Sequence, residues 1–192
     1  MHRSVIMKRK LMMAWIFFSI LGLAQIAAGD PKEIDLDFRL PAPPDKISLE
    51  YLGLEPDSSF SLGQIQTEVL ILEIFSMYCP VCQREAKNIN TLFDQIRQNK
   101  ELGQRIKLIG IGAGNSEFEV NFFKENYGIQ FPLFSDSDFT IHKKIGQVRT
   151  PFFIGLKQTK TGSHIFFTHA GEIKDHNGFL DEILSASGLE FK

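Results

Sequence analysis

The sequence predicts an α/β fold in three layers, a central mixed β-sheet with helices on both faces, and three observations carry that reading. Val69 to Phe75, VLILEIF, is almost continuously apolar and rich in β-formers, as in a strand buried on both faces at the centre of a parallel sheet. From Pro80 the pattern changes at once to a helical period. Strand-like and helical stretches then alternate to the end of the chain, the order that builds a sheet covered on both sides.

The chain has 192 residues. Its first 29 carry Arg3, Lys8, Arg9 and Lys10 and no acid, and Leu11 to Ala28 has no charge at all. That arrangement reads as a secretory signal peptide or, because 18 uncharged residues are near the lower limit for a spanning helix, as an uncleaved amino-terminal membrane anchor. Either way the domain formed by residues 30–192 is expected outside the cytoplasm, periplasmic in a bacterium of that envelope type. Without the leader, 17 basic residues face 23 acidic ones, a net charge of −6, which argues against nucleic acid as a main partner. The 43% hydrophobic content and 18 Phe require a folded core, and the length fits one domain.

Asp30 to Pro44 reads as an extended lead-in with a short strand at Ile34 to Leu40. Ile47 to Leu54 and Ser59 to Leu62 alternate polar and apolar residues around Gly53, Pro56 and Asp57, which predicts an N-terminal β-hairpin. After the VLILEIF strand, Val81, Glu85/Ala86, Ile89, Leu92/Phe93 and Ile96 mark a helix up to Gln98–Lys100, and Gly103 ends the connection to a second buried strand at Arg105 to Ala113. Ser116 and Glu119 form a capping-box pair that starts a helix to Asn126, stopped by Gly128. A short strand (Phe131 to Phe134) and a short helix (Asp138 to Ile145) follow. Two strands (Pro151 to Lys157, Ser163 to His169) and a helix from about Asn177 to Ser187 close the chain.

The only two cysteines, Cys79 and Cys82, stand where the buried strand meets the helix. Pro80 suits the first helical position, so Cys79 falls at the cap and Cys82 one turn inside. Free N–H groups at the helix end stabilise a thiolate at Cys79, and Cys82 is placed to resolve a mixed disulfide. A structural disulfide is opposed by the spacing, since so small a loop removes little chain entropy. Metal binding requires further ligands, and His142, His164, His169 and His176 have no finger-like spacing.

Glu73 is the only charge in VLILEIF. A carboxyl in a doubly buried strand holds its proton and suits proton exchange with Cys82; at an edge or a polar crevice it would do nothing. Thr150-Pro151 precedes the apolar FFIGL, and a proline there either fits a sheet edge or is cis. Gly110, Gly112 and Gly114 lack the dinucleotide spacing and read as a glycine-lined turn.

Together VLILEIF, S-M-Y-C-P-V-C opening a helix, and T-P-F-F-I before a strand pair and final helix resemble the thioredoxin superfamily, and more narrowly the exported TlpA/ResA-like thiol-disulfide oxidoreductases. The resemblance covers residues 47 to 190, with the N-terminal hairpin and a central strand-helix insert at Ser116 to Phe134. It implies a redox-active Cys79–Cys82 disulfide, with Cys79 attacking, Cys82 resolving and Glu73 as the buried carboxylate beneath them. It also implies a cis-proline at Pro151, with the Thr150 backbone and Tyr78 on the substrate side. It implies no cofactor and no metal. Implied partners are protein disulfides, such as the haem-site cysteines of apocytochrome c, and a membrane thiol carrier of the DsbD/CcdA type. Three positions depart from the family pattern: Tyr78 stands where Trp is usual, Pro80 precedes Val81 as in the oxidising DsbA-type C-P-x-C, and Gly155 replaces an acid. The P-x-x-x-T-x-x-C surroundings of a peroxidatic cysteine are absent.

Two rivals to the reductant stand beside it: an oxidase or isomerase of the same fold, and a copper-binding chaperone using both thiolates with a histidine, His142 first.

Overall fold

Strand β3 (Val69–Phe75) is buried at every residue because both of its edges and both of its faces are covered. The computed structural model describes residues 34–57, 59–160 and 162–190. The leader predicted for residues 1–29 lies outside them, and no helix among the described residues is long and apolar enough to cross a membrane. On one edge β3 pairs in parallel with β4 (Ile106–Ala113), which pairs in parallel with β5 (Leu133–Asp136). On the other it pairs antiparallel with β6 (Phe152–Thr159), which pairs antiparallel with β7 (Gly162–Ala170). The sheet order is therefore β5-β4-β3-β6-β7, a mixed sheet as predicted.

Side chains alternate across a strand, so β3 feeds two cores. Val69, Ile71 and Phe75 meet Ile89, Phe93 and Ile96 of α2 (Pro80–Gln98), Val120 and Phe123 of α4 (Glu117–Tyr127), and Phe179 and Ile183 of α6 (His176–Ser187). Leu70, Leu72 and Ile74 meet Ile109, Ile111, Ile154 and Leu156, under a cover that includes Leu40, Leu52, Phe60 and Ile141. Each such fully buried side chain contributes roughly 1.5–3 kcal/mol of transfer free energy, which fixes the register of the layers.

The bounds of β3 and α2 match the sequence reading, and α4 does so through its caps. Ser116 and Glu119 make the reciprocal capping box, and Gly128 ends the helix at φ 63°. The predicted N-terminal hairpin is corrected. Residues Lys46–Leu52 form a helix, α1, because the Asp45 carboxylate accepts the Ser48 N–H and Gly53 closes the other end at φ 65°. Its strand-like alternation is overruled by these two caps, and only Ser48 and Leu52, one turn apart, are buried. A two-stranded sheet does form, from β1 (Arg39–Pro41) and β2 (Ser59–Ser61), with α1 between them in the chain. The strand expected at residues 34–40 shrinks to β1. Gly103 lies inside a short helix, α3 (Lys100–Arg105), rather than ending a connection. The strand expected at residues 131–134 is shifted to β5, since Pro132 has no N–H and instead offers its carbonyl to the Gly110 N–H at 3.0 Å. A helix, α5 (Thr140–Lys144), precedes the Pro151 turn. Between β6 and β7 the register slips at Gly155/Leu156, so that Phe166 opposes no residue. The absent Cβ of Gly155 leaves room there for Phe166, whose ring would stand 2.9 Å from it.

Candidate functional site

Cys79 is the N-cap of α2, with Pro80 in the first turn. Its backbone is extended (φ −86°, ψ 110°), which turns Sγ over the free amides of the first turn, and Sγ accepts the Cys82 N–H at 3.2 Å. Cys79 is part-exposed, whereas Cys82 has no exposed surface, and the two are not bridged. Across from them the Thr150-Pro151 peptide is cis, and the Cys79 thiol lies 3.3 Å from the Thr150 carbonyl as donor to acceptor. The structure thus selects the cis alternative for Pro151, as the family resemblance implied.

The electrostatics separate the two thiols. Burial acts to raise the pKa of Cys79, but the side chains of Cys82 and Thr150 and the amides of Cys82 and Val81 outweigh it, so the net shift is downward. For Cys82 burial dominates and its proximity to Cys79 adds to it, pushing the thiol well above its ordinary range. One sulfur is prepared as a thiolate at the surface, and the other is kept as a thiol beneath it.

Glu73 lies in mid-strand, opposite Gly110 of β4 and Phe153 of β6, and is 3% exposed. The buried alternative is therefore the one the structure adopts. Burial first, then Glu85 and Cys79, push its carboxyl up to about 8. Glu85 is the residue that the sequence reading passed over. It sits on α2 one turn after Cys82, has no exposed surface, and neither carboxylate oxygen has a hydrogen-bond partner among the described residues. Burial and the neighbouring Glu172 raise it to about 7, while the Ile173 amide and the Asn88 side chain lie close enough to pull the other way without reaching hydrogen-bond geometry. The available signal was its place at an apolar position of the helical period, Val81–Glu85–Ile89.

Tyr78 is 65% exposed, and its hydroxyl donates to Glu119 in the first turn of α4. It flanks Cys79 on the open side. The structure thus gathers Cys79, Cys82, Glu73, Thr150 and Pro151 at one end of the sheet. His142, the first copper candidate, is on α5 with its Nε2 2.8 Å from the Val148 carbonyl. Among the described residues no group of three or more His, Cys, Asp or Glu is placed to hold a metal ion.

Residues 40–176 match the AhpC/TSA family. The chain belongs to that family. It is 23% identical over 132 residues to the thiol-disulfide oxidoreductase ResA of Halalkalibacterium halodurans, a match spanning 69% of this chain and 66% of that protein. Among solved structures it is similar to a secreted Mycobacterium tuberculosis disulfide oxidoreductase homologous to E. coli DsbE, with a TM-score of 0.55 at 15% identity over 78% of this chain and 96% of that one. It is also similar to a thioredoxin-like protein from Aeropyrum pernix, with a TM-score of 0.52 at 18% identity over 78% and 88% of the two chains. At such identities the structural likeness speaks to the fold, and the fold of this AhpC/TSA member is thioredoxin-like.

Proposed function

We propose that the protein is an extracytoplasmic thiol-disulfide oxidoreductase that reduces protein disulfides through Cys79 and Cys82. The observation that carries this is the geometry of the pair: an accessible sulfur capping a helix, with a buried thiol one turn below it and a cis-proline backbone opposite. In the reductive cycle the Cys79 thiolate attacks one sulfur of a substrate disulfide, and the other sulfur leaves as a thiolate and takes up a proton. Cys82 then gives its proton to the Glu73 carboxylate and attacks Cys79 Sγ. That step releases the second substrate thiol and leaves a Cys79–Cys82 disulfide, so two electrons have passed to the substrate. A carboxyl with a pKa of about 8 exchanges protons readily near neutral pH, which suits Glu73 to this step. The Thr150 backbone offers an extended substrate a short strand-like pairing beside Cys79, with Tyr78 on the open flank.

The basic and then apolar leader supports export, as a cleaved signal or as an anchor. The Mycobacterium tuberculosis neighbour, itself a secreted protein, is consistent with that reading. By the resemblance to the exported TlpA/ResA-like oxidoreductases, apocytochrome c cysteines are the substrate class to test and a DsbD/CcdA-type membrane thiol carrier is the electron source. Two features favour the oxidising direction instead. The C-P-x-C order resembles the oxidising DsbA-type motif, and the downward shift of Cys79 stabilises the reduced form, which makes a stronger oxidant. Dithiothreitol-driven insulin reduction tests the main reading: the wild-type chain should accelerate it and Cys79→Ser should lose at least about 100-fold. Equal turnover by the variant would overturn it. A reduction potential near that of DsbA, about −120 mV rather than about −270 mV, would transfer the assignment to the oxidase.

A further inference from the structure

Met77 lies two residues before Cys79 on the loop joining β3 to α2, and side chains from two other places hold both of its backbone polar groups. Its N–H donates to Asn115 Oδ1 at 2.8 Å, and its carbonyl accepts from Gln83 Nε2 at 2.8 Å. Asn115 has no exposed surface and sits two residues after the end of β4, just before the N-cap of α4. Its own backbone is fixed, with its N–H on the Gly112 carbonyl at 3.1 Å and its carbonyl receiving the Ser135 hydroxyl at 2.6 Å. The expected glycine-lined turn is corrected: Gly110 and Gly112 lie inside β4, and only Gly114, at φ 66°, stands in the turn after it. A Cβ on Gly112 would stand 2.8 Å from Val120 Cγ2, 3.0 Å from Asn115 Oδ1 and 3.1 Å from the Asn115 Cβ. Gln83 adjoins Cys82 in the first turns of α2.

A loop carbonyl and amide could be satisfied by water, so two side-chain partners on one residue are a constraint rather than a necessity. A fully buried asparagine is costly unless its amide is used, and the bond to Met77 uses it. We propose that Asn115 and Gln83 clamp the Met77 backbone from opposite sides and are positioning residues of the redox pair, setting where Cys79 Sγ stands relative to the end of α2. The inference rests on the thiol-exchange reading above. The Cys79 N–H donates to the Ser76 carbonyl at 3.0 Å, so the turn from Ser76 to Cys79 moves as a unit and a shift of Met77 carries Cys79 with it. The ionisable groups facing Cys79, namely Cys82, Glu73 and beyond it Glu85, are left in place when the clamp is changed. Tyr78 ties the same loop to Glu119, so Asn115 before α4 and Glu119 in its first turn brace the approach to Cys79 at two points.

The test is the apparent pKa of Cys79, read from the pH dependence of iodoacetamide alkylation, in full-length Asn115→Ala and Gln83→Met, with thermal midpoints measured in parallel. Loosening the clamp withdraws thiolate stabilisation, so each variant should show about tenfold less thiolate at neutral pH, an upward shift of about 1 unit, and a more reducing potential. If Asn115→Ala does not fold, Gln83→Met, whose side chain is only part-buried, decides alone. A lowered midpoint with the Cys79 pKa unchanged in the folded variants would overturn the clamp and leave both residues purely structural. A wild-type chain that does not reduce insulin would instead overturn the activity reading, and the alkylation result would still judge the clamp.

Discussion

The two faces of β3 are built from the same strand and differ in what they tolerate. One carries Val69, Ile71 and Phe75 with Glu73 among them, and looks toward Cys82 and Glu85 on α2; the other carries only Leu70, Leu72 and Ile74. A second contrast lies between buried carboxylates. Asp136, at the end of β5, is 4% exposed, and its two oxygens accept the N–H groups of Ile141 at 2.9 Å and His142 at 2.8 Å, so it holds α5 in place. Glu85 is equally buried and has no such partner. A carboxylate whose lone pairs are used by backbone is a structural fastener. One left unpartnered beside a dithiol remains free to take and give a proton, and among the described residues Glu85 is of that kind, on the helical side of the sheet.

Placing a carboxylate on the wholly apolar side would break the contrast most severely. Leu72→Glu should cost more than about 4 kcal/mol and leave little folded protein by circular dichroism at 25 °C; a wild-type denaturation midpoint would mean that the two faces are equivalent. The pH dependence of stability is the next largest effect. The Glu73 pKa is raised in the folded state, from 4.5 to about 8, so its stabilising effect is complete below pH 4.5 and is lost as pH rises through about 8. Between those values the folded state binds more protons than the unfolded one. The unfolding free energy from urea titrations should therefore fall by up to about 1.4 kcal/mol per pH unit for this group. Glu73→Gln should flatten that slope while slowing resolution of the mixed disulfide; an unchanged slope would show that Glu73 is ionised in the fold. Asp136→Ala should cost about 1–3 kcal/mol by stranding two amides while leaving the Cys79 alkylation rate alone. Activity loss out of proportion to stability would remove the distinction between fastener and proton carrier. The smallest effect is expected from Lys144→Ala, which removes the exposed 2.8 Å pair with Asp35 and should move the melting temperature by less than about 2 °C.

Much of this was legible in the sequence wherever local signals and burial agree. VLILEIF reads as a central strand and Cys79-Pro80 as a helix start, whereas Glu73 and Thr150-Pro151 each carried two readings from the residues alone and were joined to the redox pair only through the family resemblance. The failures have physical causes. Ile47 to Leu54 alternates like a strand, and the side-chain cap at Asp45 with the left-handed Gly53 overrules the alternation. Glu85 was read as part of a helix repeat, because a period of three and four shows which positions face inward and not whether the residue there suits the interior. Asn115 left no signal of its own: its use depends on Met77, 38 positions away in the chain, whose amide it meets only after the sheet has assembled.

The slip in register at Gly155/Leu156 has one more consequence. β7 is the longer of the two edge strands, nine residues long, and a straight open edge of that length is a template on which a second molecule can add its own strand and begin a fibre. With Phe166 unmatched and both Phe166 and Phe167 turned to pack on the helical side, the edge bends part-way along its length. A bent edge offers an incoming strand only a few consecutive pairings before it veers off, which makes β7 a poor template for a second copy.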